Sequence, residues 1–447
     1  MDALPAARAQ MGLSLAFHMV LAACGIGMPV LMLMAEGLWL RTDRPHYRDL
    51  ARKWGKASAL LFALGAVSGT ALSFELGLLW PTFMGFAGSI IGPAFALEGF
   101  AFFIEAIFLG LYLYGWDRLS PLAHWLCGIP VALSGLLSGM LVCAANAWMQ
   151  APVGFELDGS GRLMNIDPLA TFHSPYWFPL AIHSSLSCYI AVGFAVAGVY
   201  AVGLLCGRRD AYHRSGLNLA MTLATVTALI QPVSGDLSGR VAAQYQPAKL
   251  AAMEALFDTR AGAPLVIGGI PDEASGDVRF AIKIPYGLSL LATHDPHAVV
   301  KGLNEFPPDE RPNMLWTHLA FQVMVGCGFT LVVLGLWFWW NQWRRTGMEN
   351  RWLLRALVVG APLGFLALEA GWMVTELGRQ PWTIYGLMRT SAAVTPVVDV
   401  SGSLLLFTAL YLGLAVALIV LLLRLARGGQ EAVTTAAVPQ KEVAHAS

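Results

Sequence analysis

Charge is scarce in this sequence. Lys, Arg, Asp and Glu make up 13% of 447 residues, 28 basic against 28 acidic, for zero net charge. No nucleic-acid or strongly acidic partner is implied, because neither sign accumulates into an attracting field. Cysteine is sparse too. Cys24, Cys127, Cys143, Cys188, Cys206 and Cys327 lie in or beside apolar stretches, and no CxxC occurs. That spacing argues against iron–sulfur and zinc sites and for structural thiols. The N-terminus lacks a charged leader and a cleavage site, so no removable signal peptide is expected. No internal repeat is visible, which leaves the inverted-repeat architecture of secondary transporters without support.

Hydrophobicity takes the place of charge. Apolar residues make up 57% of the chain and mean hydropathy is +0.61. Only helices and closed barrels span lipid, and the apolar runs here are too long for barrel strands. The expected fold is an all-α polytopic membrane protein. Nine spans are expected, near 14–39, 57–79, 91–115, 121–147, 178–206, 216–234, 315–340, 353–376 and 400–425. Fifteen Trp and 22 Phe suit interfacial belts and large planar cofactors equally well.

Basic residues assign the orientation. Arg41, Arg44, Arg48, Arg52, Lys53 and Lys56 follow span one. Arg208, Arg209 and Arg214 follow span five. Arg344, Arg345, Arg351 and Arg355 follow span seven, and Arg424 and Arg427 close span nine. All four groups share the cytoplasmic side if the N-terminus is outside. The spans form one unit, residues 1–428, with a long outer connection at 235–314. Residues 249–257 of that connection read as a short amphipathic helix, and a loop of this length is usually functional. Residues 429–447 read as a polar, disordered cytoplasmic tail.

Ionisable groups inside lipid are expensive and mark function. The stretch from Glu369 to Trp382 holds two carboxylates, Glu369 and Glu376, seven residues apart and so on one helix face. Gly378 and Pro381 stop that helix, and Arg379 follows Glu376 by one turn. Glu98 and Glu105 repeat the seven-residue spacing in span three. His18 and His183 lie early in spans one and five. Met324 lies early in span seven, and gains weight only from a histidine at matching depth, since His/Met is an axial haem pair. With ~1.5 Å rise per residue, His18, Glu98, His183 and Met324 fall roughly 6–14 Å inside the outer ends of their spans. Glu376 ends its own span, so five candidate ligands gather beneath the outer loop.

With these residues in view, the chain resembles subunit I of the cytochrome bd ubiquinol oxidase family over about residues 8–425. The specific pieces are Glu376 with Gly378–Trp382 (GRQPW), Trp54–Lys56, Gly115–Arg118, Ala145–Gln150 (ANAWMQ) and Lys249–Glu254. The short outer loop resembles the branch that includes cyanide-insensitive oxidases. Gln322 stands where some members have Arg, which weakens any claim of charge stabilisation there.

The resemblance implies haem cofactors: a low-spin haem b, a high-spin haem b, and haem d or a third haem b in its place. His183 and Met324 match the low-spin axial ligands. His18 and Glu376 match ligands of the two high-spin haems, with Glu98, Arg379 and Trp382 beside them. Glu105, Ser138 and Asn146 match positions on a proton route. Lys249 and Glu254 match loop residues of quinol oxidation. Implied partners are a subunit II-like membrane protein, a small single-span accessory subunit, ubiquinol or menaquinol, and O2. The implied activity is electrogenic quinol:oxygen oxidoreduction in a bacterial inner membrane. The competing readings are a b-type haem electron carrier without oxygen chemistry and an ion-coupled transporter.

Overall fold

The structure, a computed structural model, describes residues 3–436 except 160, 168, 345–349, 398 and 399. Arg345, the side chain of Arg427 and the tail from residue 437 lie outside the described residues. Long helices dominate: α1 (Ala3–Thr42), α2 (Pro45–Leu79), α3 (Pro81–Tyr114), α4 (Pro121–Gln150), α5 (Trp177–Leu205) and α6 (Ala211–Tyr245). A short α7 (Pro247–Met253) and α8 (Gly287–Thr293) belong to the outer connection. Then come α9 (Met314–Trp343), α10 (Arg351–Gly360), α11 (Leu363–Leu377) and α12 (Ser401–Ala436). Among the described residues nine helical segments are long and apolar enough to cross a membrane, in the expected order.

Helix starts follow local chemistry. Pro45, Pro81, Pro121 and Pro247 each open a helix at the position where a missing N–H costs nothing. Asp210 and Asn313 cap α6 and α9 by accepting from His213 N at 2.9 Å and Trp316 N at 3.0 Å. Span eight differs from expectation. It is two helices rather than one, because Pro362 follows Ala361 and cannot supply the bond that would continue the first. Span six also runs on to Tyr245, so the outer connection begins about ten residues later than the sequence pattern indicated. Helix α12 runs through Ala436, past the point where the polar tail was expected to begin.

The inner core is formed by α1, α2, α5, α6, α9 and α10, through Leu31, Met32, Leu50, Phe194, Leu217, Phe338 and Leu353. Small residues meet at the α5–α6 contact, where a Cβ on Gly193 would stand 2.7 Å from Ala224 Cβ. Lipid gives no hydrophobic drive between helices, so such small side chains hold them by close packing. In contrast, Phe74, Leu78, Phe100, Phe103 and Ile107 on α2 and α3 are left exposed.

The outer connection packs down onto the helices. Every residue from Ala248 to Met253 is buried, so α7 is not the amphipathic surface helix its pattern suggested. Two short antiparallel ribbons follow, pairing 265–267 with 282–284 and 270–272 with 277–279. Helix α9 pins them. His318 places its two ring nitrogens 2.7 Å from Met253 O and 3.1 Å from Gly268 O. One turn on, Gln322 Oε1 accepts from Gly268 N at 2.8 Å and its Nε2 donates to Val266 O at 3.1 Å. Gln322, the departure from the family pattern, is thus a loop anchor.

Candidate functional site

Beneath this connection lies a cavity of about 1830 Å³. An ordinary single-ligand pocket holds roughly 300–1,000 Å³, so this one has room for more than one large group. Its lining includes His18, Glu98, Glu105, Ser138, Asn146, His183, Met324, Glu376 and Arg379 from the helices, and Lys249 and Glu254 from the connection. Residues from six helices and the outer loop therefore meet at one space. Two expected participants do not. Trp382 is not among the lining residues: the chain turns after Pro381, Trp382 pairs with Arg389, and its indole lies under that guanidinium at 5.2 Å. Glu369 is absent as well, although Leu368 and Gly371 on either side of it line the cavity.

The two histidines are presented alike. Ser68 Oγ donates to Gly65 O at 3.0 Å, so it meets His18 Nδ1, 2.9 Å away, as an acceptor. Ser234 Oγ donates to Gln231 O at 2.8 Å and meets His183 Nδ1 at 2.9 Å in the same way. With each serine accepting, Nδ1 would carry the proton and Nε2 would keep its lone pair, the arrangement that orients a metal-ligating histidine. The Gln231 amide donates to His183 O at 3.1 Å and lies 3.2 Å from Nε2. Glycines make room for two of the donors. A Cβ on Gly69 would stand 2.9 Å from His18 Cε1, and one on Gly371 would stand 3.0 Å from Met324 Sδ.

Among the described residues no three His, Cys, Asp or Glu side chains converge to hold a bare metal ion. Single, separated imidazole, thioether and carboxylate donors instead fit a metal already held in a macrocycle, which needs only axial bonds from protein. The donor set, the tautomers and the cavity therefore all fit haem.

Carboxylates occupy two further places. Glu98 Oε1 accepts from Ser138 Oγ at 3.0 Å. Glu105 is buried behind it, 3.4 Å from where a Cβ on Gly135 would lie. At the outer end, Arg379 NH2 donates to Glu376 Oε2, and Asn146 Nδ2 donates to Glu376 Oε1 at 2.8 Å. On the loop side, burial pushes the Glu254 carboxyl up to about 8, and its Oε2 has no partner. Lys249 is driven well below the ordinary lysine range, first by burial and then by the positive charge of Arg379, against the opposing pull of Glu376.

Several buried polar groups escaped the sequence reading. Glu36 Oε1 lies 2.6 Å from His124 Nδ1 in α1 and α4, and Ser14 Oγ donates to Glu75 Oε1 at 2.7 Å. The rule that flagged Glu98 also applies to both acids, since both stand inside apolar spans. Ser68, Ser234 and Gln231 gave no sequence signal, because their role depends on a helix neighbour far away in the chain.

Comparison with known proteins follows the same geometry. The family model described as "Cytochrome bd terminal oxidase subunit I" matches residues 6–430. A Bacillus subtilis protein named as a candidate cytochrome bd menaquinol oxidase subunit I is 37% identical, over 95% of this chain and 96% of that protein. Another from the same organism, named cytochrome bd ubiquinol oxidase subunit 1, is 32% identical over 96% and 95%. A solved bd oxidase chain from Geobacillus thermodenitrificans superposes with a TM-score of 0.91 at 40% identity, covering 95% of this chain and 98% of that one.

Proposed function

This chain belongs to the cytochrome bd terminal oxidase subunit I family, and from that premise we propose how its own residues serve a membrane quinol:oxygen oxidoreductase. The observation that carries the reading is one cavity shared by isolated imidazole, thioether and carboxylate side chains and by a buried loop acid and lysine. His183 and Met324 would hold a low-spin haem b. His18 and Glu376 would hold a high-spin haem b and a haem d or third haem b, with Glu98 and Arg379 alongside. When bound, haem supplies the one-electron chemistry that links a two-electron donor to oxygen.

The protein's part is placement and proton handling. Quinol loses two protons as it is oxidised, so a base must stand near its ring. Glu254, buried and raised to about 8, is poised to take a proton near neutral pH. Lys249, in the same wall, would orient the hydroxyl or carbonyl oxygen. Both belong to the connection that the basic-loop pattern puts outside, so quinol would be oxidised at the outer face. Glu105 precedes the next cavity acid from the inside, two turns or ~10 Å beyond Glu98 along α3. The pair, with Ser138, would bring protons from the cytoplasmic side. Drawing a charge inward-to-outward against the potential conserves ~2.3 kcal/mol per charge per 100 mV without a pump.

The exposed apolar face of α2 and α3 suits a second membrane subunit, as does a multi-pass location in a bacterial inner membrane with the N-terminus outside. The test is the purified complex itself. Reduced-minus-oxidised spectra should show haem bands, and a short-chain quinol should drive oxygen uptake. Colourless protein, or haem without quinol-dependent uptake, would refute the reading.

A further inference from the structure

The ANAWMQ run ends at Gln150, which the proposed function has not used. Gln150 closes α4 and is wholly buried (0% exposed). Its Nε2 donates to Asn146 Oδ1 at 3.1 Å. Its Oε1 accepts from Lys249 Nζ, and from Gln246 Nε2 at 2.9 Å. Its main-chain oxygen, one of the carbonyls a helix end leaves without an intrahelical partner, accepts from the same Gln246 Nε2 at 2.6 Å. Asn146 passes the line on to Glu376, which holds Arg379. One unbroken set of hydrogen bonds thus joins the loop lysine to the carboxylate at the end of α11.

We propose that Gln150 is a positioning residue for quinol oxidation: it fixes Lys249 on the cavity wall and, through Asn146, ties that position to Glu376. The inference rests on the reading that Lys249 faces quinol. Among the described residues Lys249 forms no ion pair with a carboxylate. A buried amine held by a single side-chain oxygen keeps its remaining hydrogens for an incoming oxygen. The Tyr176 ring, 5.7 Å from Nζ, closes another side. The amide therefore sets where the amine points without consuming its capacity. Gln246 clamps the first turn of α7 to the same residue, so the lysine's backbone and its head group are both referenced to α4.

The experiment measures KM and kcat for a short-chain quinol with the purified complex, beside the haem spectrum. Gln150→Leu should raise KM about tenfold, the cost of one charge-assisted or buried hydrogen bond, with haem band areas unchanged. Gln150→Glu keeps an oxygen for Lys249 and loses only the donor to Asn146, so KM should return to within about twofold of the parent. Lys249→Met should raise KM by itself, and adding Gln150→Leu should raise it no further, since both remove one contact. The proposal is overturned by an unchanged KM in Gln150→Leu, by a Glu variant no better than Leu with intact haem bands, or by additive effects in the double variant. If Gln150→Leu does not assemble, Gln150→Met, which keeps the length of the side chain and removes its hydrogen bonds, takes its place in the same single and double comparisons, and an unchanged KM in it overturns the proposal. A parental KM in Lys249→Met instead refutes the quinol assignment of the lysine, and a wild-type complex inactive with quinol refutes the function beneath it.

Discussion

Glu254 makes a quantitative demand on the pH dependence of quinol oxidation. Its carboxyl is raised to about 8 by burial. A base must be ionised to accept a proton. With a pKa of about 8, roughly one tenth of the sites are ionised at pH 7 and about half at pH 8. The rate constant for quinol oxidation should therefore rise about fivefold across that unit and flatten above it. The sign of the linked stability is opposite. The folded protein binds this proton more tightly than the unfolded chain does, so stability falls as pH rises from the ordinary carboxyl value of 4.5 through about 8. Glu254→Gln removes both slopes while keeping the shape of the side chain. The assay is kcat/KM for quinol-driven oxygen uptake from pH 6 to 9, with an artificial donor that bypasses the loop as control. A profile flat between pH 7 and 8, or an unaltered acid limb in Glu254→Gln, would refute the assignment of Glu254 as the acceptor.

Met324→Leu keeps volume and apolarity, a swap that normally costs under ~1.5 kcal/mol in a core; as an axial ligand, its loss should turn the low-spin haem high-spin, and an unchanged low-spin band would make it a packing residue. Glu105→Gln should slow oxygen reduction several-fold without removing haem, and near-parental turnover and charge movement would leave it a structural acid. Gln322→Leu removes the bonds to Gly268 N and Val266 O, so limited proteolysis should cut the 265–285 ribbons faster while haem bands persist; equal cutting rates would show that His318 suffices. Reporter fusions should place residues 41–56 inside and the connection after Tyr245 outside, and a cytoplasmic connection would reverse the proposed direction of proton uptake.

The sequence carried the spans well, because a bilayer demands long apolar runs and helix starts carry Pro, Asp and Asn signals. That His18, His183, Met324 and Glu376 share one cavity was legible for another reason: three are costly inside lipid, and Met324 lies at the depth of His183. What stayed hidden were relations between helices. His183 Nδ1 meets Ser234, 51 positions away, and His18 Nδ1 meets Ser68, 50 positions away. Neither serine differs in sequence from the many that bond their own helix backbone. Residues 249–257 read as amphipathic, whereas the connection folds over α7 and buries every residue from Ala248 to Met253. Trp382 misled because a motif fixes neighbours in sequence, and a turn at Pro381 sends one of them elsewhere.

The general rule that an acid inside lipid marks function needs a second criterion in this protein. Glu36 and Glu75 are completely buried, and each has a polar partner on another helix. Neither lines the cavity, and Glu369 does not either. Glu98, Glu105, Glu254 and Glu376 all do. A carboxylate matched by a neighbouring histidine or hydroxyl in a closed contact can stabilise a helix crossing without ever exchanging a proton with substrate. A carboxylate on the wall of a large shared cavity cannot be so isolated, because whatever fills the cavity becomes its partner. Cost inside the membrane therefore identifies the acids that need an explanation, and access to the cavity separates those that hold the fold from those placed to act.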